Sequence, residues 1–297
     1  MSSAAPPRGR TANGATQWDI VGLIRWASGY FAAKDISNAR LESEWLLAHV
    51  LGLERVDLYV QHDRPLGPGE LAQFKALVKR RSGGEPFQYI LGKAPFYGRD
   101  FRVTPDVLIP RPETETLIRV LHQSMGAPEP GAILDIGTGS GCLAITAALL
   151  YPEAKVLAVD ISADALSLAH ENARRLGADN VDFQRLDVMT EEPIGTFDAI
   201  LCNPPYVASG ELPGLQREIR DHEPLAAITD GADGLSFFRR LAAIGANLLY
   251  DGGRLIMELG GVLQATAVSG MFRQAGFAVT IHDDLQSDPR VCESLKK

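Results

Sequence analysis

A short apolar strand, Ala132 to Ile136, leads directly into Asp135-Ile136-Gly137-Thr138-Gly139-Ser140-Gly141, and a helical run from Cys142 to Leu150 follows at once. Glycines at a strand's carboxyl end let the backbone turn sharply and approach a ligand without Cβ clashes. The same texture continues downstream. Strands are expected at Val156–Val159, Val181–Leu186, Phe197–Cys202, Arg254–Glu258 and Ala278–His282. Helices are expected at Ala163–Leu176, with Asn172 and Arg174 outward, at Phe237–Tyr250 and at Leu263–Ala275. Strands alternating with helices of roughly 10–15 residues predict an α/β fold, a doubly wound and mostly parallel Rossmann-like sheet.

Upstream the period changes. From Trp18 to Ser82 apolar residues recur at helical spacing: Ile20, Ile24, Ala27 and Phe31, then Leu41, Leu46, Leu47, Val50 and Leu51 after capping candidates Ser37 and Asn38. Arg64-Pro65-Leu66-Gly67-Pro68-Gly69 breaks the pattern, and a third helix is expected from Glu70 to Arg81 with Leu71, Phe74, Leu77 and Val78 on one face. Aromatic and β-branched residues among Gly92, Pro95 and Gly98 predict a β-hairpin linker between Phe87 and Pro110. The expected organisation is a disordered polar leader over 1–17, a small helical bundle over 18–84, a hairpin linker over 85–111 and the α/β domain over 112–297. No run approaches the ~20 apolar residues that span a bilayer. Three cysteines without CxxC spacing exclude a four-thiolate zinc site, and they suit reduced thiols in a cytoplasmic protein.

The loop after the first α/β strand has GxGxG spacing, with Cys142 where a dinucleotide fingerprint wants its third glycine, and no Walker lysine follows. A ligand without a pyrophosphate is implied, and S-adenosylmethionine (SAM) fits best. Asp160 ends the next strand, where a carboxylate can accept both ribose hydroxyl protons. Asp187 follows the third strand, positioned to accept from the adenine amino group or merely to cap its loop, and Val188 is placed to cover the ring. Gly137, Thr138, Gly139, Ser140, Gly141, Asp160, Asp187 and Val188 are thus the candidate cofactor residues.

The fourth strand ends in Asn203-Pro204-Pro205-Tyr206. Two consecutive prolines remove two N–H donors and hold the backbone stiff. The Asn203 side chain and the Pro204 carbonyl then offer two acceptors, enough to hold both hydrogens of an NH₂ group on an sp² carbon and turn its nitrogen toward a methyl donor. Tyr206 can lie flat against the planar group. Asn203, Pro204 and Tyr206 are the candidate catalytic residues, Asn203 also touches the cofactor, and Asn203, Pro204, Pro205 and Tyr206 are the candidate substrate-binding residues, with no metal required.

NPPY after the fourth strand, with LDIGTGSG before it, resembles the amino-methyltransferases that act on exocyclic NH₂ groups. Phe96-Tyr97-Gly98, Phe101, Val103 and the run Leu108-Ile109-Pro110-Arg111-Pro112-Glu113-Thr114-Glu115 narrow this to the HemK/PrmC release-factor glutamine methyltransferases. His222-Glu223-Pro224 and Asp233-Gly234-Leu235 are similar to that family too, although His222 replaces its usual aromatic and Asp230-Gly231 its usual glycine pair. The resemblance implies a seven-stranded SAM-dependent methyltransferase domain acting at N5 of the glutamine in the GGQ motif of class-1 peptide chain release factors, with the helical bundle gripping that protein. It places Arg111 and Glu113 where they order the active-site wall or form a structural ion pair.

The alternative is an N6-adenine-type nucleic-acid methyltransferase using the same NPPY chemistry. A formal net charge of −8 disfavours direct DNA binding, although residues 1–84 carry 11 Lys/Arg against 8 Asp/Glu. A SAM-binding scaffold without turnover is a further rival, disfavoured because a mere binder has no use for two acceptors aimed past the methyl.

Overall fold

The computed structural model describes residues 11–12, 15–16, 18–126 and 129–297. Apart from the short paired strands β1 (Thr11–Ala12) and β2 (Ala15–Thr16), the leader expected over 1–17 lies outside the described residues. The chain packs as two compact units that divide between Leu91 and Gly92.

The first unit holds α1 (Ile20–Ala32), α2 (Ala39–Leu51), α3 (Arg55–Val60), α4 (Pro68–Ser82) and α5 (Phe87–Leu91). Asp19 caps α1 by accepting from the Gly22 N–H at 2.7 Å, and Pro68 opens α4, where a missing N–H costs nothing. Ile20, Leu23, Ala27, Phe31, Leu46, Leu47, Phe74 and Val78 form the core. Leu41, expected on the inner face of α2, is instead at the surface, because the helix turns Ser43, Glu44, Leu46 and Leu47 inward. Glu44 can be buried there because Arg40, Arg55 and Tyr59 all meet its carboxylate.

The stretch expected as a hairpin linker over 85–111 divides in two. Phe87 to Leu91 is helical and joins the core of the first unit. The hairpin is shorter, β3 (Lys93–Phe96) paired with β4 (Arg99–Arg102), and it puts Phe96 and Phe101 into the core of the second unit. Its two-residue turn has φ of +48° at Tyr97 and +74° at Gly98, the positive pair that matches the twist of a tight hairpin.

A 3₁₀ turn (Pro112–Thr114) and α6 (Glu115–Ser124) then lead into β5 (Ala132–Ile136), α7 (Cys142–Leu150), β6 (Lys155–Asp160), α8 (Ala163–Leu176), β7 (Val181–Arg185) and β8 (Phe197–Cys202). After the short α9 (Arg217–His222) come α10 (Ser236–Leu248), β9 (Leu249–Glu258), α11 (Val262–Gln274), β10 (Ala278–Asp283) and β11 (Pro289–Leu295). The seven-stranded sheet has the order β10-β11-β9-β8-β5-β6-β7, with β11 antiparallel to both neighbours and the other pairs parallel. Apolar side chains cover both faces in two clusters, one around Leu117, Ile133 and Ile145 and the other around Leu134, Phe238 and Phe272.

The chain winds outward from β5 through β6 to β7, then crosses back to place β8 on the other side of β5. Ligands bind at such a reversal, outside the carboxyl ends of the two strands. Ile136 is paired with Cys202 across it, so the glycine loop and Asn203 leave adjoining strand tips, about 4.8 Å apart.

Candidate active site

Gly137, Gly139 and Gly141 have φ of +73°, +55° and +82°, which folds the loop back against β6. Gly137 and Thr138 both donate to the Val159 carbonyl, at 2.9 and 3.1 Å. The glycines differ in purpose. A Cβ on Gly141 would lie 2.7 Å from Ile145 Cδ1 and 3.2 Å from Ala169 Cβ, whereas one on Gly137 or Gly139 would meet nothing within 4 Å. Gly141 is a packing requirement against α7 and α8, and the other two border open space.

Beneath the loop, Asp135 is completely buried. Its Oδ2 accepts from Thr138 Oγ1 at 2.7 Å and from the Ala144 N–H at 3.1 Å, while Oδ1 has no partner among the described residues. Burial pushes this carboxyl up to about 7, and the nearby Asp160 adds to the rise. Asp160 takes the Gly139 N–H on Oδ2 and the Ser162 N–H on Oδ1, both at 2.9 Å, so each oxygen keeps a lone pair for a hydroxyl. The Asp160 carboxylate at this tip repels a phosphate and suits a ligand with ribose hydroxyls and positive charge, which is the character of SAM.

Asn172 was expected to face outward and does not. It is fully buried, and it donates through Nδ2 to the Ser140 carbonyl at 2.9 Å and the Arg102 carbonyl at 3.0 Å, while Oδ1 accepts from the Arg102 N–H at 2.8 Å. An asparagine can replace an apolar residue on the inner face of α8 because three backbone groups need it there. It ties the glycine loop to β4 of the hairpin. Asp187 is engaged locally: Oδ1 accepts from the Met189 N–H at 3.0 Å and Oδ2 from Thr190 Oγ1 at 3.2 Å. Val188 is buried in the second core cluster beside Leu186, and its carbonyl accepts from Arg240.

At the tip of β8, Asn203 is half-buried and Pro204 buried. Asn203 Nδ2 donates to Thr114 Oγ1 at 3.2 Å. Thr114 in turn donates to Glu258 Oε2 at 2.6 Å, and the Tyr206 hydroxyl donates to Glu258 Oε1 at 3.1 Å. Among the described residues no donor reaches the Pro204 carbonyl or Asn203 Oδ1, so both acceptors the sequence proposed are unspent. Glu258 is buried at the carboxyl end of β9, and burial raises its carboxyl above the ordinary range. Burial, reinforced by Glu258, also raises the Tyr206 phenol, which therefore stays protonated as a donor.

The loops around this corner are braced from both sides. Gln264 Nε2 donates to the carbonyls of Tyr206 (3.1 Å) and Gly234 (3.0 Å), and its Oε1 accepts from the Gly260 N–H at 2.7 Å. Asp230, a departure from the family pattern, accepts from the N–H groups of Ala232, Gly234 and Ser236 at 2.8–3.0 Å. Those bonds, Ser236 foremost, overcome its partial desolvation and hold its carboxyl down to about 2. Arg111 forms an ion pair with the buried Glu223, whose other oxygen accepts from the Ile109 N–H at 3.3 Å, so Arg111 ties the Ile109–Arg111 segment to the loop after NPPY. Glu113 is half-buried beside Thr114.

Thr114, Asp135, Asn172, Glu223, Glu258 and Gln264 carried no assigned role on sequence grounds. The legible signal was position. Asp135 is the penultimate residue of β5 and Glu258 the last of β9, both at the carboxyl edge that binds ligands in this topology.

Residues 112–219 match the family model "Methyltransferase small domain". A crystal structure of a methyltransferase from Pyrococcus furiosus, 20% identical, covers 68% of this chain and 90% of its own with a TM-score of 0.51, a likeness of fold. Fold and strand-tip chemistry together define a methyltransferase of the Rossmann-like class. Residues 22–92 match the model "PrmC N-terminal domain". The release factor glutamine methyltransferase of Geobacter sulfurreducens is 47% identical over 88% of this chain and 90% of its own length. That of Bacillus subtilis is 38% identical over 94% and 98%. The chain belongs to the release factor glutamine methyltransferase family.

Proposed function

We propose that this protein transfers a methyl group from SAM to the side-chain amide nitrogen, N5, of the glutamine in the GGQ motif of class-1 peptide chain release factors. The observation that carries the reading is the pair of unspent acceptors at the NPPY corner, Asn203 Oδ1 and the Pro204 carbonyl. A primary amide has two N–H groups, and these two acceptors can take both. The nitrogen lone pair, otherwise delocalised into the carbonyl, is then held out of plane toward the donor side of the corner. Orientation of this kind is worth roughly 7–11 kcal/mol of barrier. The same acceptors stabilise positive charge as it develops on nitrogen.

When bound, SAM would supply an electrophilic sulfonium methyl and depart as the neutral thioether. The methylated nitrogen, then strongly acidic, gives one N–H proton to solvent, so the chain needs neither a metal nor a strong base. Asp160 would hold the ribose hydroxyls, Gly137 to Gly141 the amino-acid end and Val188 one face of the adenine, with Asp187 taking the adenine amino group on lone pairs its own turn leaves over. Tyr206, anchored through its hydroxyl, offers its ring as a wall for the planar amide. The helical unit 18–84 is assigned the grip on the intact release factor.

Mass spectrometry of release-factor peptides after incubation with enzyme and SAM tests the substrate, with a single added methyl on the GGQ glutamine expected. Label from tritiated SAM appearing in DNA and not in release factor would replace this reading with the adenine one. For Asn203→Ala, turnover should fall at least ~100-fold while SAM affinity changes by less than about threefold.

A further inference from the structure

We infer that Glu258 is a positioning residue for the methyl acceptor, fixing through Thr114 which end of the Asn203 side chain faces the substrate amide. The inference rests on the proposed role of Asn203 as an acceptor, and asks what makes it one. An asparagine side chain is nearly symmetric in shape, and turning it over exchanges an acceptor for a donor. With NH₂ toward the substrate, the corner would present hydrogens to hydrogens and hold no amide.

The polarity is set one step at a time. Both oxygens of Glu258 accept, Oε1 from the Tyr206 hydroxyl at 3.1 Å and Oε2 from Thr114 at 2.6 Å, so the single hydroxyl proton of Thr114 is committed to Oε2. Thr114 Oγ1 then has only lone pairs to offer. The group 3.2 Å from it must be a donor, and that is Asn203 Nδ2. Oδ1 is left at the other edge of the planar carboxamide, free for the substrate. The reversed rotamer would set Oδ1 against the Thr114 lone pairs with no hydrogen between them. Thr114 and Glu258 are both buried, so no water is at hand to rescue the reversed arrangement. The other oxygen of Glu258 takes the Tyr206 hydroxyl at 3.1 Å, so one carboxylate sets both ends of the NPPY corner.

The test uses the full-length enzyme with purified release factor and SAM. Thr114→Val keeps the shape and removes the relay; Glu258→Gln keeps the shape and introduces a donor where only acceptors stood. Each should lower kcat by roughly 30–100-fold. SAM affinity and KM for release factor should remain close to those of the unaltered enzyme, while the melting temperature falls because Glu258 Oε2 loses its donor. Thr114→Ser, which restores a hydroxyl, should return kcat to within about threefold of wild type. A merely structural Thr114 would show the opposite split, with stability and KM moving while kcat stays close to that of the unaltered enzyme. Should Glu258→Gln fail to fold, Thr114→Val and Thr114→Ser still decide the matter. Wild-type kcat in Thr114→Val overturns the inference. If Tyr206→Phe reproduces the Glu258→Gln loss while Thr114→Val is active, Glu258 acts through the tyrosine alone and the inference is again overturned. Asn203→Ala in the same assay separates the two levels: if it too is fully active, the parent reading fails, and if it is inactive beside an active Thr114→Val, only the relay does.

Discussion

Asp135 lies under the glycine loop with one oxygen bonded twice and the other without a partner among the described residues, and that imbalance has a measurable consequence. Its carboxyl titrates at about 7 in the fold, against an ordinary value near 4 in the unfolded chain. Between those values the native state keeps a proton that the unfolded state has released, so stability falls as pH rises and levels off above 7. Urea unfolding at pH 5 and pH 8 should show wild type losing on the order of 3 kcal/mol more than Asp135→Asn across that interval. Parallel curves for the two proteins would remove the burial argument. Gly234 makes a steric prediction. A Cβ there would sit 2.3 Å from the Tyr206 carbonyl oxygen, at a φ of +76° that disfavours any L side chain. Gly234→Ala should therefore cost about 3 kcal/mol in stability. It should also lower turnover, because the atom displaced belongs to the NPPY corner.

At the scale of elements, Asn172 is the buried tie between α8 and β4, which also meet at the surface through the Arg102–Glu171 ion pair and through Arg175 on the Asp100 carbonyl. Removing that tie in Asn172→Ala leaves the Ser140 carbonyl and both backbone groups of Arg102 without that partner, at roughly 1–3 kcal/mol for each group that stays dry. The expected outcome is a lower melting temperature with about tenfold weaker SAM binding by calorimetry, since Ser140 belongs to the loop. Unchanged affinity would show that the loop holds itself. The same residue marks the limit of what patterning reveals. Period and glycine spacing disclosed β5, β6, β8 and the NPPY corner because their apolar runs and turn formers agree. They misplaced Asn172, since a polar residue on a helix is assigned to solvent unless its partners are known, and those partners lie 32 and 70 positions away. β11 was missed for a related reason. Its Glu293 and Ser294 interrupt the apolar alternation, and only the sheet supplies Arg254 at 3.0 Å and His282 at 2.8 Å to satisfy the glutamate. α3 is a single short stretch between polar turns, too brief for a helical period to register. Glu258 was legible as the end of a strand but not as a ligand of Thr114, 144 residues earlier in the chain.

Across the whole molecule, two cores built from different periodicities imply two units that can be separated, and the cut that respects packing falls at 91/92, not at the glycine pair near 84. Tyr89 and Ile90 are almost completely buried, and Ile90 with Phe87 and Leu91 packs on the helical core. The hairpin from Lys93 onward belongs to the sheet unit, through Phe96 and Phe101. A chain beginning at Glu85 would carry Phe87, Ile90 and Leu91 into water, exposing on the order of 150 Å² or more for the aromatic ring. A chain beginning at Gly92 keeps the sheet, the glycine loop, Asn172 and the whole Asn203–Thr114–Glu258 series. Residues 92–297 should therefore unfold cooperatively and bind SAM within about threefold of the full-length affinity, while the version starting at 85 is less soluble at equal concentration. With intact release factor, the 92–297 chain should lose at least ~100-fold in kcat/KM if the helical unit provides the grip, because association then rests on the NPPY corner alone. On a short peptide containing the GGQ motif the two lengths should differ little. Equal rates on intact release factor would leave the helical unit as a stabilising element, and the grip would have to be sought on the sheet unit itself.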